Sequence, residues 1–142
     1  MFELHPQLAL DCIVLGDFPL CRLLLSRDSN YPWFILVPRR PALSEIYQLS
    51  VAERDLLMAE SSCLSELLME VLQGDKLNVA ALGNMVPQLH IHHIVRYERD
   101  AAWPRPVWGA VPPRPYADAE LGRLRDTLLP LLREKGLRDC QH

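Results

Sequence analysis

Apolar positions along the chain fall into four short runs and one long periodic stretch, and these set the expected elements. Residues 20–25 (LCRLLL) form one run; residues 33–37 (WFILV) form a second, rich in β-branched and aromatic side chains and ended by Pro38. The break between them carries Asp28, Ser29 and Asn30, all turn formers. A connection this short predicts an antiparallel hairpin, because a parallel crossover needs about a dozen residues or more. Residues 77–82 and 88–95 form a second strand pair, joined around Gly83 and Asn84 with Pro87 ahead of the last strand.

The periodic stretch is helical. Ser50 is a good N-cap, and Glu53 three residues on completes a capping-box pattern. From residue 51 to 73, Leu57, Leu64, Leu68 and Val71 recur at helical spacing, with Glu66 and Glu70 elsewhere and Gly74 as the expected stop. A second helix is expected from Asp118 to about Lys135, with a kink or an early end at Pro130. Between the last strand and that helix, Pro104, Pro106, Pro112, Pro113 and Pro115 crowd one extended, irregular arm. Strands, helix, strands, helix is an α+β order with a mainly antiparallel sheet, one long helix and a C-terminal helix. The expectation is one domain over residues 1–142, with 103–142 forming the Pro-rich arm plus that helix.

Composition narrows the class. A chain of 142 residues, 49% hydrophobic and 23% charged, is globular rather than disordered. Its net charge of −3 excludes a wholesale basic nucleic-acid binder. No apolar run approaches the roughly 18 residues of a membrane span, and the start (MFELHPQLAL) lacks the basic region and apolar core of a signal peptide. The expected setting is the cytoplasm, without a membrane partner. Cys12, Cys21, Cys63 and Cys140 are widely spaced with no C-x-x-C pair, so they are expected to be reduced and mostly buried.

Three of the five His fall together, in Gln88-Leu89-His90-Ile91-His92-His93. Alternation along a strand puts Gln88, His90 and His92 on one face, with Leu89, Ile91 and His93 on the other. Same-face neighbours lie roughly 6.6–6.8 Å apart, close enough for two imidazoles and an amide to surround one phosphate-sized group. A neutral imidazole with one nitrogen free can attack phosphorus, provided the other nitrogen is hydrogen-bonded and the tautomer fixed. His-x-His on a strand can also chelate zinc, but such a site needs three or four ligands and no third is obvious, since Cys63 is remote and His5 and His142 are terminal. A structural or interface role for the pair is the third reading. From Gln88 to Arg114, four Arg (96, 99, 105 and 114) face Glu98 and Asp100, a net +2 in an acidic chain that suits an anionic ligand. Trp103 and Trp108 either stack on a base or pack the arm onto the body.

This segment resembles the signature of the histidine-triad (HIT) family of nucleotide hydrolases and transferases, His-φ-His-φ-His-φ-φ near the end of an antiparallel strand. WFILVPRR is similar to that family's hydrophobic strand ending in Pro-basic-basic, and the similarity covers roughly residues 20–96. The resemblance implies that His90 is the nucleophile that becomes nucleotidylated and that His92 contacts the phosphate. It implies that Asn84 stands for a phosphate-contacting Gln, and that Asn78 and Asp28 face the nucleotide or its ribose. The departure is Gln88 in place of the first His: an amide offers a hydrogen bond but does not titrate. What the resemblance implies is hydrolysis of a nucleoside phosphate derivative, such as a dinucleoside polyphosphate or a nucleoside phosphoramidate, by a homodimer that needs no cofactor or metal. A nucleotide-binding module with little turnover, and a metal-binding protein using His90 and His92, are the competing readings.

Overall fold

The computed structural model describes residues 1–140. A short helix α1 (Pro6–Asp11) leads into β1 (Cys12–Asp17), β2 (Cys21–Ser26) and β3 (Trp33–Pro38). After a 3-10 turn come the long helix α2 (Val51–Leu72), then β4 (Lys76–Ala80), β5 (Ile91–Arg96) and α3 (Asp118–Glu134). The five strands form one fully antiparallel sheet in the order β1-β2-β3-β5-β4. The expected α+β order stands, with a helix and a strand added at its start.

Pleating sorts the side chains into two layers. Leu23, Leu25, Phe34, Leu36, Ile91 and Val95 face α2 and α3 and meet Leu57, Leu64, Leu68, Leu128 and Leu132 in the main core. Each such buried Leu or Phe contributes about 1.5–3 kcal/mol relative to exposure. Leu24, Ile35 and Val37 face the other way and are covered by Leu8 and Cys12 from the N-terminal segment. That second face carries the functional candidates.

Local chemistry explains the ends of the elements. Ser50 Oγ accepts from the Glu53 N–H at 3.1 Å while Glu53 accepts from the Ser50 N–H at 2.9 Å, so the expected capping box opens α2. The helix stops at a left-handed Gln73 (φ +52°) rather than at Gly74. Gly74 serves packing instead: a Cβ there would lie 2.4 Å from Val95 Cγ1. Helix α3 runs through Pro130 to Glu134 without the expected early end. Pro130 and Asp126 are both exposed, so the carbonyl of residue 126, deprived of its usual N–H partner, is open to water. Glu60 of α2 is buried, with its carboxylate accepting the Leu20 and Cys21 N–H groups at 2.8 and 2.9 Å, and so pins the entry of β2 to the helix.

The Pro-rich stretch holds no helix or strand from residue 97 to 117 and is tied down at discrete points. Ser29 N–H donates to the Arg114 carbonyl at 2.7 Å, and Asp28 Oδ1 accepts from the Arg114 N–H at 3.2 Å. At its start, Arg96 makes a paired contact with the Asp100 carboxylate (2.8 and 3.1 Å) and donates to Asn78 Oδ1 at 2.8 Å. Burial works to raise the Asp100 pKa, but Arg96 and the N–H groups of Tyr97, Ala102 and Trp103 together bring it down to about 2. The arm is therefore anchored at both ends and folds back over the strand face that carries His92.

Candidate active site

The strand that should carry the motif begins later than expected. Pairing with β3 starts at Ile91, opposite Leu36, so Gln88, Leu89 and His90 approach the sheet before joining it. His92 is paired opposite Ile35 and shares its face; Trp33, two residues before Ile35, lies on that face as well. His90 and His92 converge there as expected, with ring centroids 4.8 Å apart and planes inclined by 72°.

Donor and acceptor inventories fix both rings. His90 Nδ1 lies 2.7 Å from the Gln88 carbonyl oxygen, which can only accept, so Nδ1 carries the proton and a neutral ring leaves the Nε2 lone pair bare. His92 Nδ1 lies 2.9 Å from the Trp33 indole N–H, which can only donate, so Nδ1 accepts and Nε2 carries the proton. Burial, reinforced by the neighbouring His90 and His93, pushes the His92 pKa down to about 3, and the ring stays neutral at any physiological pH. Two adjacent imidazoles thus present opposite faces: one nucleophilic nitrogen and one N–H donor. Trp33 and Trp108 pack against the His92 ring in inclined, edge-type contacts, with ring centroids 5.6 and 5.1 Å away, and hold it in place.

Both rings line a cavity of about 890 Å³, a size that suits a small-molecule ligand. One wall is apolar, from Leu8, Cys12, Ile35 and Val86; the opposite wall is the arm, from Val107 through Trp108 to Arg114 and Pro115. Burial pushes the Cys12 thiol up to about 12, so it is inert wall rather than nucleophile. Arg27 and Arg114 bring two positive charges to the lining, beside the carboxylates of Asp11 and Asp28.

The remaining sequence candidates divide. Asp28 and Asn84 line the cavity, Asp28 with Oδ1 held by the Asn30 N–H and amide at 3.0 and 2.8 Å. Gln88 does not: its Oε1 accepts from the His5 N–H and its Nε2 donates to the Glu3 carbonyl, each at 2.8 Å, so the amide turns toward the N-terminal segment. The part of Gln88 that meets the nucleophile is its main-chain carbonyl. Asn78 is corrected as well, because its side chain is committed to Arg96 and lies outside the cavity lining. Arg96 is only 2% exposed and neutralised by Asp100, so it leaves the basic set assigned to an anionic ligand. Trp103 packs against the Arg96 guanidinium, 5.8 Å from its centroid, while Trp108 reaches the cavity. His93, on the opposite face, is fully buried and accepts from Ser61 Oγ at 2.7 Å through Nε2. Among the described residues no group of three His, Cys, Asp or Glu could hold a metal ion; His142 lies outside them.

Sequence reasoning missed Trp33 as a hydrogen-bond donor and α1 as a wall. The first was within reach, since pairing the WFILV strand beside the motif strand puts Trp33 on the His92 face. The second had no local signal.

A HIT domain family model matches residues 7–99. Among solved structures, a histidine triad protein from Marinobacter aquaeolei VT8 superposes with a TM-score of 0.91 at 54% identity, over 94% of this chain and 98% of that one. One from Bradyrhizobium japonicum gives 0.88 at 47% identity, over 94% and 97%. One from Sinorhizobium meliloti 1021 gives 0.88 at 35% identity, over 92% and 96%. The search of curated proteins finds no match. A family model covering more than half the chain, together with relatives alike over nearly all of it, places this protein in the HIT domain family, whose members are generally nucleotide hydrolases or transferases.

Proposed function

We propose that the protein hydrolyses a nucleoside phosphate derivative, of the dinucleoside polyphosphate or nucleoside phosphoramidate type, through a nucleotidyl intermediate on His90. The observation that carries this reading is the opposite tautomers of His90 and His92 on one cavity. The His90 Nε2 lone pair attacks the α-phosphorus; the bond to the leaving group breaks, and that group departs with the electron pair and takes a proton from solvent. The His92 Nε2–H donates to a non-bridging oxygen as negative charge builds there. Water then attacks phosphorus, loses its proton to solvent, and the P–N bond breaks to return His90 to its starting state. The path calls on no metal or cofactor.

The apolar wall of Leu8, Cys12, Ile35 and Val86 suits a base, and Arg27 with Arg114 offsets phosphate charge in the lining. The partner is thus a small nucleotide, and the setting we propose is cytoplasmic; no helix among the described residues is long and apolar enough to cross a membrane. By family resemblance the working unit is a homodimer.

The test is a panel of nucleotide conjugates run against wild type and His90→Gly. Turnover should fall by at least about a thousandfold in the variant, with the fold intact by circular dichroism. Full activity in His90→Gly ends the mechanism. A nucleotide-binding module with little turnover is favoured by one feature, the absence of a titratable group at Gln88. It predicts bound nucleotide with no covalent species on rapid quench in base, which preserves an acid-labile P–N bond, where the hydrolase reading predicts a nucleotidyl-histidine adduct.

A further inference from the structure

The mouth of the cavity is more apolar than binding a nucleotide requires. Leu10 of α1, Leu82 and Met85 of the segment between β4 and β5, and Trp108 of the arm all line it. Leu10, Leu82 and Met85 are 69, 52 and 93% exposed. Among the described residues they pack into no part of the core. A single exposed apolar side chain is ordinary, but four from three separate elements converging on one opening mark a binding surface. They stand apart from the inner wall, where Leu8, Cys12 and Ile35 are buried. Trp108 joins the mouth to the chemistry, since its ring centroid lies 5.1 Å from that of His92.

Charge sets a second limit. Asp11 and Asp28 line the cavity beside Arg27 and Arg114, so cations are not in excess. The Arg114 guanidinium also stands 3.8 Å from the Glu120 carboxylate. Among the described residues, Arg27 is the one lining cation without an ion-pair partner. Such a lining matches the single negative charge of one substituted phosphate, not the several charges of a polyphosphate chain.

Proton supply sets a third. The Gln88 amide is committed to His5 and Glu3, and in the proposed reaction the His92 N–H is engaged by a phosphoryl oxygen. A leaving group receives a proton from neither, so one that is stable as an anion departs most readily. That requirement disfavours an apolar amine, and the charge balance disfavours a second nucleotide joined through polyphosphate. A carboxylate satisfies both, and its hydrocarbon part suits the mouth.

We propose that the substrate is a mixed anhydride of a nucleoside monophosphate with an apolar carboxylic acid, whose acyl chain seats on Leu10, Leu82, Met85 and Trp108. This rests on His90 as the nucleophile and names the leaving group. The bond from His90 Nε2 to phosphorus forms as the P–O bond to the acyl group breaks. The carboxylate leaves with the electron pair and takes no proton. Water then attacks phosphorus, loses its proton to solvent and releases the nucleoside monophosphate from His90.

The test uses the full chain with adenosine 5′-monophosphate anhydrides of acetate and of octanoate, and with diadenosine tetraphosphate. The octanoyl anhydride should give a kcat/KM at least about tenfold above the acetyl one, from methylenes buried at the mouth. It should also exceed diadenosine tetraphosphate. Leu82→Asp and Met85→Asp each replace an exposed side chain and should cut the octanoyl-to-acetyl ratio at least about threefold. Turnover in water labelled with oxygen-18 should place the label in the nucleotide; label in octanoate means attack at the carbonyl carbon and overturns the proposal. A wild-type ratio near one, a ratio unmoved in both variants, or faster turnover of diadenosine tetraphosphate overturns it equally. The two readings fail separately. If His90→Gly abolishes turnover of every conjugate while the wild-type ratio is near one, only the leaving-group assignment falls. If His90→Gly keeps full turnover, the nucleophile falls and this proposal with it.

Discussion

Trp33→Phe isolates one hydrogen bond at the centre of the site. The indole N–H reaches His92 Nδ1 at 2.9 Å, and phenylalanine keeps an aromatic edge against the ring while deleting the donor. His92 is only 6% exposed, so its Nδ1 is left without a partner. An unmade hydrogen bond at a buried group costs about 1–3 kcal/mol, and stability to urea should fall by about that much. The functional cost has a separate origin. Without the indole, nothing obliges the His92 proton to stay on Nε2, and the ring can turn its lone pair toward the phosphate instead of its N–H. Losing one such donor to a developing oxyanion is expected to lower turnover about a hundredfold. Nitrogen-15 NMR of the His92 ring reads the tautomer directly: Nε2–H in wild type, a mixture in the variant. Wild-type spectra showing the proton on Nδ1, or a variant with the tautomer changed and turnover intact, would refute the reasoning.

Acid should loosen the fold in a defined window. Burial lowers the pKa of His92 to about 3 and of His93 to about 4, so between the unfolded value of about 6.5 and these values the unfolded chain binds the extra protons. Stability is then undiminished above pH 6.5 and falls below it, by up to about 2.7 kcal/mol per pH unit while both sites differ. Urea titrations at several pH values should show this fall, with a shallower slope in His93→Phe; a flat profile from pH 6.5 to 4 counts against it. Gly74→Ala drives a Cβ to 2.4 Å from Val95 Cγ1, a stiff and fully buried neighbour. The expected loss is about 1–3 kcal/mol, and an unchanged urea midpoint would show that β5 can give way. Gln88→Ala removes two hydrogen bonds to the N-terminal segment, so hydrogen exchange over residues 3–11 should accelerate and KM should rise while kcat stays within a few-fold. A kcat collapse like that of His90→Gly would return the amide to the chemistry.

What was legible in the chain was what neighbouring residues determine. The WFILV run bounded by Pro38, the Ser50–Glu53 capping box and the convergence of His90 with His92 each carry their own signal, and each stands in the structure. β1 was not legible because its alternation is broken by a bulge between Val14 and Gly16. Gly16 has φ +156°, and a Cβ there would lie 2.5 Å from the Arg138 carbonyl, so the irregularity answers to a C-terminal segment far away in sequence. Gln88 misled for a related reason. Alternation governs a side chain only once its backbone is paired, and pairing begins at Ile91. Ahead of that point the amide was free to be claimed by His5 and Glu3, more than eighty residues away. Asn78 and Arg96 followed the same logic. Arg96 reads in sequence as part of a basic set for an anion, and Asn78 by resemblance as a group facing the nucleotide or its ribose, but each bonds the other once β4 and β5 lie side by side.

The same geometry leaves the His90 tautomer independent of the side chain at the first position of the motif. Presenting a bare Nε2 on His90 requires an acceptor at Nδ1, and that acceptor is the carbonyl of residue 88. Every amino acid carries that carbonyl, so exchanging the side chain leaves tautomer selection untouched. What a histidine at 88 would add is a second titratable ring, able to move a proton. The chain spends its side chain there on holding the N-terminal segment, and that segment supplies Leu8 and Leu10 to the cavity wall. In the proposed reaction, Gln88 therefore offers no group to act on the leaving group and instead ties down a segment of the cavity wall. The consequence falls on which leaving groups can depart. Those that leave readily as anions need no acid beside His90 and should turn over well, while poor leaving groups should stall at the first step.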